Sequence, residues 1–421
     1  MTSWSKRPIF AVGAGTIAWL TIVAVTASVA KSSTRSSVVS FDHSSRQRAV
    51  GAMPSSGSAD FAFAGSQAQG GSRPQMSEEV FKNIQVLKGI PVDEFMGTMG
   101  LFSAAMSVCC AECHTGAGTS NPKWEDDPPR KRTARRMVQM VSAINRDNFG
   151  GRQVVTCWTC HRGSQSPRVT PPLDRIYGEP VIEPPDILAP APSGEPTADE
   201  ILDKYVQALG GAARLAGLTS YVAKGSSMAF GDVGNGNAAE IYAKAPNQLA
   251  TIVHTREGDM VRSFDGRDGY FLLPLTVVQE YPWTGGALEG AKLDAELAFP
   301  GRIKEFLGNW RVSFPTTLNG VNVRVVQGTG AAGLVATFYF DKQSGLLVRM
   351  ARYANSAVGR VPTQIDFSDY RPVAGVMIPF RWSYAWLSGR DDYTLTDVQP
   401  NVAIDPAKLG KPVAVVPPPR R

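Results

Sequence analysis

Two short strings constrain this chain more than anything else in it: Cys110-Ala-Glu-Cys113-His114 and Cys157-Trp-Thr-Cys160-His161. Each is a C-x-x-C-H motif, in which two thiols three positions apart can add to the two vinyl groups of one haem while the adjacent histidine meets the iron. The pair predicts two c-type haems, one on Cys110 and Cys113 with His114, the other on Cys157 and Cys160 with His161. A zinc site is the competing reading, since two C-x-x-C pairs could give four thiolates to one tetrahedral metal. The chain has 4 histidines, however, and two of them directly follow the two pairs, where an all-thiolate site needs none. A disulfide framework fits less well, because 5 cysteines confined to one segment cannot staple the rest of the chain. Cys109 with Cys113 would have a four-residue spacing, so Cys110 is the attachment residue and Cys109 a bystander.

Haem attachment of this kind follows export, and the N-terminus agrees. Lys6 and Arg7 precede an uncharged run from Pro8 to Ala30, the layout of a secretory signal or membrane anchor. It is long enough to span a bilayer, and small residues at Ala27, Ser28 and Ala30 also suit a peptidase. Either outcome places the folded part on the periplasmic side, with residues 8–30 as a candidate inner-membrane anchor. Residues 31–75 are rich in Ser, Ala and Gly, bury too little to fold, and read as a tether. At 421 residues the chain predicts two folded units: a dihaem domain over 76–170, a proline-rich linker over 171–196, a β-rich domain over 197–410 and a tail over 411–421. A net charge of +6 that is spread along the chain supports no nucleic-acid partner.

In the first unit, Ser77-Glu-Glu predicts the N-cap and first turn of a helix running past Val80, Phe81, Ile84 and Leu87 to Gly89. A second helix begins near Asp93, with Phe95, Met99, Phe102 and Met106 on one face, and a third covers about Arg130 to Asn148 with Met137, Met140, Val141 and Ile144. Methionine in such a stripe is normally packing, but each haem needs a sixth ligand and the remaining histidines, His43 and His254, are poorly placed. Met96, Met99 and Met106 therefore compete for the first haem, and Met137 and Met140 for the second. Arg135, Arg136 and Arg162 are candidates to pair with haem propionates.

The strings Phe81 to Leu87, Glu94-Phe-Met-Gly-Thr-Met99, Ala134-Arg-Arg-Met-Val-Gln-Met140, Ala143-Ile-Asn145 and Val155 to Gly163 resemble the first half of the cytochrome subunit of purple-bacterial photosynthetic reaction centres. The resemblance covers roughly residues 77 to 168. It implies that each haem site is a helix bearing the axial methionine followed by C-x-x-C-H, which puts Met99 opposite His114 and Met137 opposite His161. That family carries four haems, whereas this chain has two motifs. Where the family places a further histidine ligand after the Ile-Asn pair, the sequence reads Asn148-Phe-Gly-Gly151, so half of the usual electron path is absent.

The second unit opens with a capping box, Thr197 with Glu200, on a helix carrying Ile201, Tyr205 and Leu209. Strand patterns follow at Leu249 to His254, Met260 to Phe264, Val321 to Gln327, Val335 to Phe340, Leu346 to Tyr353 and Phe380 to Leu387, with a helical interruption near Leu288 to Leu307. This order resembles the half-barrel of outer-membrane lipoprotein carriers, whose curved sheet holds acyl chains in an apolar concavity. Trp283, Trp310, Trp382 and Trp386 are read either as lining such a cavity or as ordinary core. His254 is read as structural, and no nucleophile and base pair up.

The expected fold class is multidomain: a mainly α-helical dihaem c-type cytochrome domain followed by an α+β domain with an antiparallel, half-barrel-like sheet. The expected function is a periplasmic carrier of single electrons, not an enzyme, whose expected partners are redox proteins or a membrane-bound electron-transfer complex. The alternative is a lipid- or hydrophobe-binding envelope protein with a redox-sensing haem module.

Overall fold

The computed structural model describes residues 73–119, 121–178, 188–232, 234–274 and 276–413. The apolar run and nearly all of the tether expected over 31–75 lie outside the described residues.

The helical part is built on α1 (Ser77–Val80), α2 (Val92–Met106), α3 (Pro129–Phe149) and α4 (Cys157–His161), followed by α5 (Leu173–Tyr177). The first helix is much shorter than its apolar spacing predicts. Phe81 is already extended, Asn83 is left-handed at φ 59°, and the chain folds back so that Ser77 Oγ donates to Leu87 O and the Glu78 carboxylate accepts from the Gly89 N–H. The cap is Met76, whose N–H donates to Glu79 Oε2 at 2.9 Å, while Ser77 is buried inside the first turn. Local hydrogen bonds from Ser and Glu thus compete successfully with helix propagation. By contrast α2 and α3 run as expected. Asp93 and Glu94 favour the positive end of α2, and α3 has Pro129 at its first position and Gly150 at φ 60° as its left-handed stop. Leu87, Leu101, Val138 and Val358 form their shared core, each side chain contributing about 2 kcal/mol on burial.

The second part starts with α6 (Ala198–Ala208) and α7 (Ala212–Gly217). The Thr197 and Glu200 box is formed as read, with Thr197 N–H donating to Glu200 Oε2 at 2.7 Å and Glu200 N–H donating to Thr197 Oγ1 at 3.2 Å. Strands β1 (Ser220–Ala229), β2 (Asn237–Lys244), β3 (Gln248–Thr255), β4 (Gly258–Phe264), β5 (Gly269–Leu272) and β6 (Glu280–Pro282) lead into α8 (Gly285–Glu296) and α9 (Ile303–Phe306). After them come β7 (Gly308–Val312), β8 (Thr316–Leu318), β9 (Val321–Thr329), β10 (Val335–Asp341), β11 (Leu347–Ser356), β12 (Gly359–Val373), β13 (Val376–Trp386) and β14 (Gly389–Pro400). All neighbours pair antiparallel, in the order β6-β5-β4-β3-β2-β1-β14-β13-β12-β11-β10-β9-β7, with β8 on β9.

This open sheet is strongly curved, and one helix demonstrates it. The helix α8 packs on β3 and β4 and also on β11, strands that would lie roughly 30 Å apart if the sheet were flat. The concave face buries Ile201, Tyr205 and Leu209 of the α6 segment with Leu293, Phe338, Phe340 and Met350 in the main core. The expected linker is not wholly free of the sheet. Leu188 is buried with Leu318, Val323 and Tyr339, and Ala191 N–H donates to Val312 O at 3.0 Å, extending the edge beside β7.

The helical part and the sheet pack directly on each other. On α2, a Cβ added at Gly100 would sit 3.4 Å from Leu387 Cβ, and one at Gly97 would sit 3.5 Å from Val361 Cγ2, so only very small residues let the helix lie this close to the rim. Gly359, at φ 147°, brings the β11–β12 turn against Thr156 and Leu101. Gln153 Nε2 donates to Ser356 O at 2.7 Å across the same junction.

Candidate haem-attachment site

The first motif follows α2 directly. Ser107, left-handed at φ 53°, ends the helix, and a single 3-10 turn over Cys110–Glu112 winds the thiols and imidazole onto one loop, with His114 N–H donating to Cys110 O at 2.9 Å. Cys110 is exposed and Cys113 half-buried. The His114 ring lies edge-on to Trp124 at 5.3 Å, and its Nδ1 is buried without a hydrogen-bond partner. Burial, and then the nearby Lys131 charge, push the His114 pKa down, which favours the neutral imidazole that binds metals. Arg130 at the start of α3 pairs with Glu112 between the two thiols.

The second motif is α4 itself. Its entry is held by Asn145, buried in α3, whose Oδ1 accepts from the N–H groups of Val154 at 3.0 Å and Val155 at 2.9 Å while its Nδ2 donates to Val155 O at 2.7 Å. Thr156 N–H donates to Thr159 Oγ1 at 3.0 Å, closing the first turn. The exit runs through Arg162 and Gly163, both at positive φ, and Gly163 N–H donates to Ala105 O at 2.9 Å, fastening the loop to the end of α2. His161 Nδ1 lies 2.9 Å from Ser164 O. A carbonyl only accepts, so Nδ1 carries the proton and Nε2 is left with its lone pair, the arrangement that orients a metal-ligating histidine.

The residues fit c-type haem on several counts. The His161 Nε2 keeps its lone pair, the His114 imidazole is biased to its neutral form, the thiols are unpaired, and Val154 and Trp158, with Met140 on α3, leave exposed apolar surface on the second motif and the helix before it, of a kind that a flat apolar group would cover. Burial pushes the Cys113 and Cys157 thiols up, so they are protonated thiols near neutral pH. Among the described residues no three His, Cys, Asp or Glu side chains converge on a point that could hold a bare ion, and the two motifs stay separate.

Met96, Met99 and Met106 on α2 and Met137 on α3 are half-buried, whereas Met140 is exposed. Met99 shares a hydrophobic cluster with Cys157, because α2 packs on α4 of the second motif as well as leading into the first. Arg135 is committed to Asp127 and Asn83 O, so it departs from its expected role toward a propionate, while Arg136 and Arg162 are exposed. Cys109 is exposed beside Cys110.

The sheet contributes an apolar cavity of about 160 Å³ under α6 and α8, walled by Tyr205, Ile241, Phe264, Ala291, Phe367 and Trp382. Of the four tryptophans, Trp283 and Trp382 line it, Trp310 packs 5.7 Å from Phe338 in the core, and Trp386 flanks Arg262 at 4.6 Å. Two buried ion pairs face the same space: Arg262 with Asp391 at 3.1 Å, and Arg352 with Asp294 at 2.8 Å. His254 is on the outer side of this chemistry, paired to Asp259 at 2.8 Å.

Sequence reasoning missed Asp93, which it took only as the start of a helix. Asp93 is 8% exposed, and its carboxylate accepts from Thr284 N–H at 2.6 Å and from Thr284 Oγ at 2.8 Å. Burial pushes its pKa up to about 6, against the pull of the Thr284 hydrogen bonds. Asn145 was seen only as part of a pair of letters. No local signal distinguishes a buried, bridging Asp or Asn from a solvated one.

Two C-x-x-C-H motifs, each preceded by a helix carrying methionine, lie in a helical module packed on an antiparallel open sheet, and the module is similar to c-type cytochromes. A family model described as the photosynthetic reaction centre cytochrome C subunit matches residues 55–171, of which 55–72 lie outside the described residues. The photosynthetic reaction center cytochrome c subunit of Roseobacter denitrificans is 33% identical over 116 residues, 25% of this chain and 31% of that protein. That of Thermochromatium tepidum is 36% identical over 96 residues, 22% of this chain and 23% of that protein. The chain thus spans less than a third of the length of these curated relatives. Among solved structures, a putative outer membrane lipoprotein-sorting protein domain from Vibrio parahaemolyticus aligns over 49% of this chain and 95% of its own, with 11% identity and a TM-score of 0.35. A LolA superfamily protein from Nitrosomonas europaea aligns over 52% of this chain and 99% of its own, with 13% identity and a TM-score of 0.33.

Proposed function

We propose that the helical module holds two c-type haems and that the protein carries single electrons on the periplasmic side of a membrane. The observation that carries this reading is the pair of C-x-x-C-H loops, each following a helix that bears methionine, with the Nε2 of His161 left free by the Nδ1 bond to Ser164 O. Such a haem supplies a one-electron couple, which axial methionine shifts to positive potential. The chain's own part is to fix the two imidazoles, through Ser164 O at His161 and Trp124 at His114, and to exclude water with the α2 and α3 apolar faces. Met99 opposite His114 and Met137 opposite His161 are the proposed axial pairs; because α2 also packs on α4, the test must read each haem separately. Partners are redox proteins or a membrane-bound electron-transfer complex, and residues 8–30 are the proposed export signal or anchor. Mass spectrometry of denatured protein decides the stoichiometry: two haems retained through thioethers are expected, and one haem, or haem lost on denaturation, refutes the reading.

A second reading is favoured by the cavity. Its walls are mainly apolar, with Arg262 and Asp294 as the charged exceptions, and it is covered by helices, so we propose that the sheet domain takes a hydrophobic ligand such as a lipid chain. Organic extraction of purified protein tests it.

A further inference from the structure

The helix α2 is a shared wall. Asp93, Gly97, Gly100 and Leu101 fall on the side laid against the sheet rim, where Gly97 meets Val361 and Gly100 meets Leu387, while Met99 and Met106 fall on the opposite side by helical spacing. Thr284 is the residue just before α8, and both of its donors are spent on the buried Asp93 carboxylate from α2. Helix α8 in turn contributes Ala291 and Asp294 to the cavity wall, and is pinned near its C-terminal end by the Asp294 and Arg352 ion pair. The end of α8 that faces the rim is tied to the methionine helix by this carboxylate contact and packs through Gly286 on Ala354 of β11.

The cavity, at about 160 Å³, matches the size of an engineered cavity that accepts benzene. A long-chain ligand needs more room, and α8 is one of the walls, with the α6 segment and the sheet, whose displacement would make it. We propose that the Asp93 and Thr284 contact is a latch that transmits displacement of α8 by a long-chain ligand to α2, so that filling the cavity and the placement of the α2 methionines are coupled. Asp93 is then a positioning residue, acting through Thr284 on one side and through its helix on the other. This inference rests on the hydrophobe-binding reading of the cavity.

The test is hydrogen exchange, read by mass spectrometry on the full-length holoprotein with and without saturating palmitate, with benzene as the short ligand. In the unaltered protein palmitate should change exchange in both Gly285–Glu296 and Val92–Met106, by about fivefold or more, the low end of ordinary allosteric couplings. Benzene should leave Val92–Met106 unchanged. In Asp93→Ala, palmitate should still act on α8 but no longer on α2, and Thr284→Val, which keeps the side-chain shape but removes one donor, should weaken the effect. If Asp93→Ala does not fold, Thr284→Val carries the comparison. Palmitate that fails to bind overturns the cavity reading itself. Palmitate that binds and moves α8 while α2 stays silent, or an α2 response of equal size in the variants, overturns the latch.

Discussion

Replacing Asp93 with asparagine should remove the pH dependence that this one carboxyl imposes on stability. The folded pKa of about 6 stands about 2 units above the ordinary value of 3.8, because burial disfavours the charged form more than the Thr284 bonds favour it. At 1.36 kcal/mol per unit that gap is worth about 3 kcal/mol. For a carboxyl with a raised folded pKa, the native state binds the proton more tightly than the unfolded chain. The associated stability is therefore fully present below about pH 3.8 and is lost as pH rises through about 6. Glu94 on the same helix and Tyr281 of β6 are the titratable groups that interact with it; Tyr281 is itself pushed up by burial and stays neutral across this window. Asparagine cannot ionise, but its Nδ2 takes the place of the carboxylate oxygen that accepts the 2.8 Å bond from Thr284 Oγ, at a pH-independent cost of about 1 kcal/mol. Urea unfolding of both proteins from pH 4 to 7.5 should show Asp93→Asn the weaker at the acid end and the stronger, by about 2 kcal/mol, at the neutral end. A difference that stays constant with pH refutes the argument.

Met99→Leu and Met137→Leu, which conserve volume, should each cost under about 1.5 kcal/mol of stability, while each removes the near-infrared sulfur-to-iron band of one haem and lets that haem bind carbon monoxide. Variants that both keep two unaltered spectra overturn these ligand assignments and direct attention to Met96, Met106 or Met140. Asn145→Ala should destabilise by about 2 to 3 kcal/mol, measured by urea unfolding, since it strands the backbone groups of Val154 and Val155 at the entry to the second motif. Asp294→Ala should cost about 3 to 5 kcal/mol, because it leaves the buried Arg352 guanidinium without its carboxylate, whereas an exposed pair such as Arg146 with Asp147 should be nearly silent when broken.

Much of the helical module was legible because its signals are local. C-x-x-C-H is a covalent requirement written in five letters, and α2 and α3 carry apolar spacing, acids or proline at the start, and a turn residue at the end. The first helix misled because its apolar spacing was real while its Ser and Glu side chains served a folded-back loop. In the sheet, the strands with dense apolar runs stood out, whereas β12 and β14 are largely polar and half-exposed, and only pairing with their neighbours makes them strands. Arg135 looked available for an anion and is instead held by Asp127.

Sequence alone located the two C-x-x-C-H motifs, helices α2 and α3, the strands β3, β4, β9, β10, β11 and β13, and the capping of α6, because each depends on groups a few residues apart. Tertiary structure decided everything that joins residues far apart in the chain: the curvature that lets α8 touch β3 and β11, the burial of Asp93 against Thr284, and the seating of α2 between the sheet rim and the attachment loops. The reason is that a carboxylate or a glycine has no intrinsic role. Its energy is set by whether water or protein surrounds it, and that depends on which distant segment the fold brings to its side.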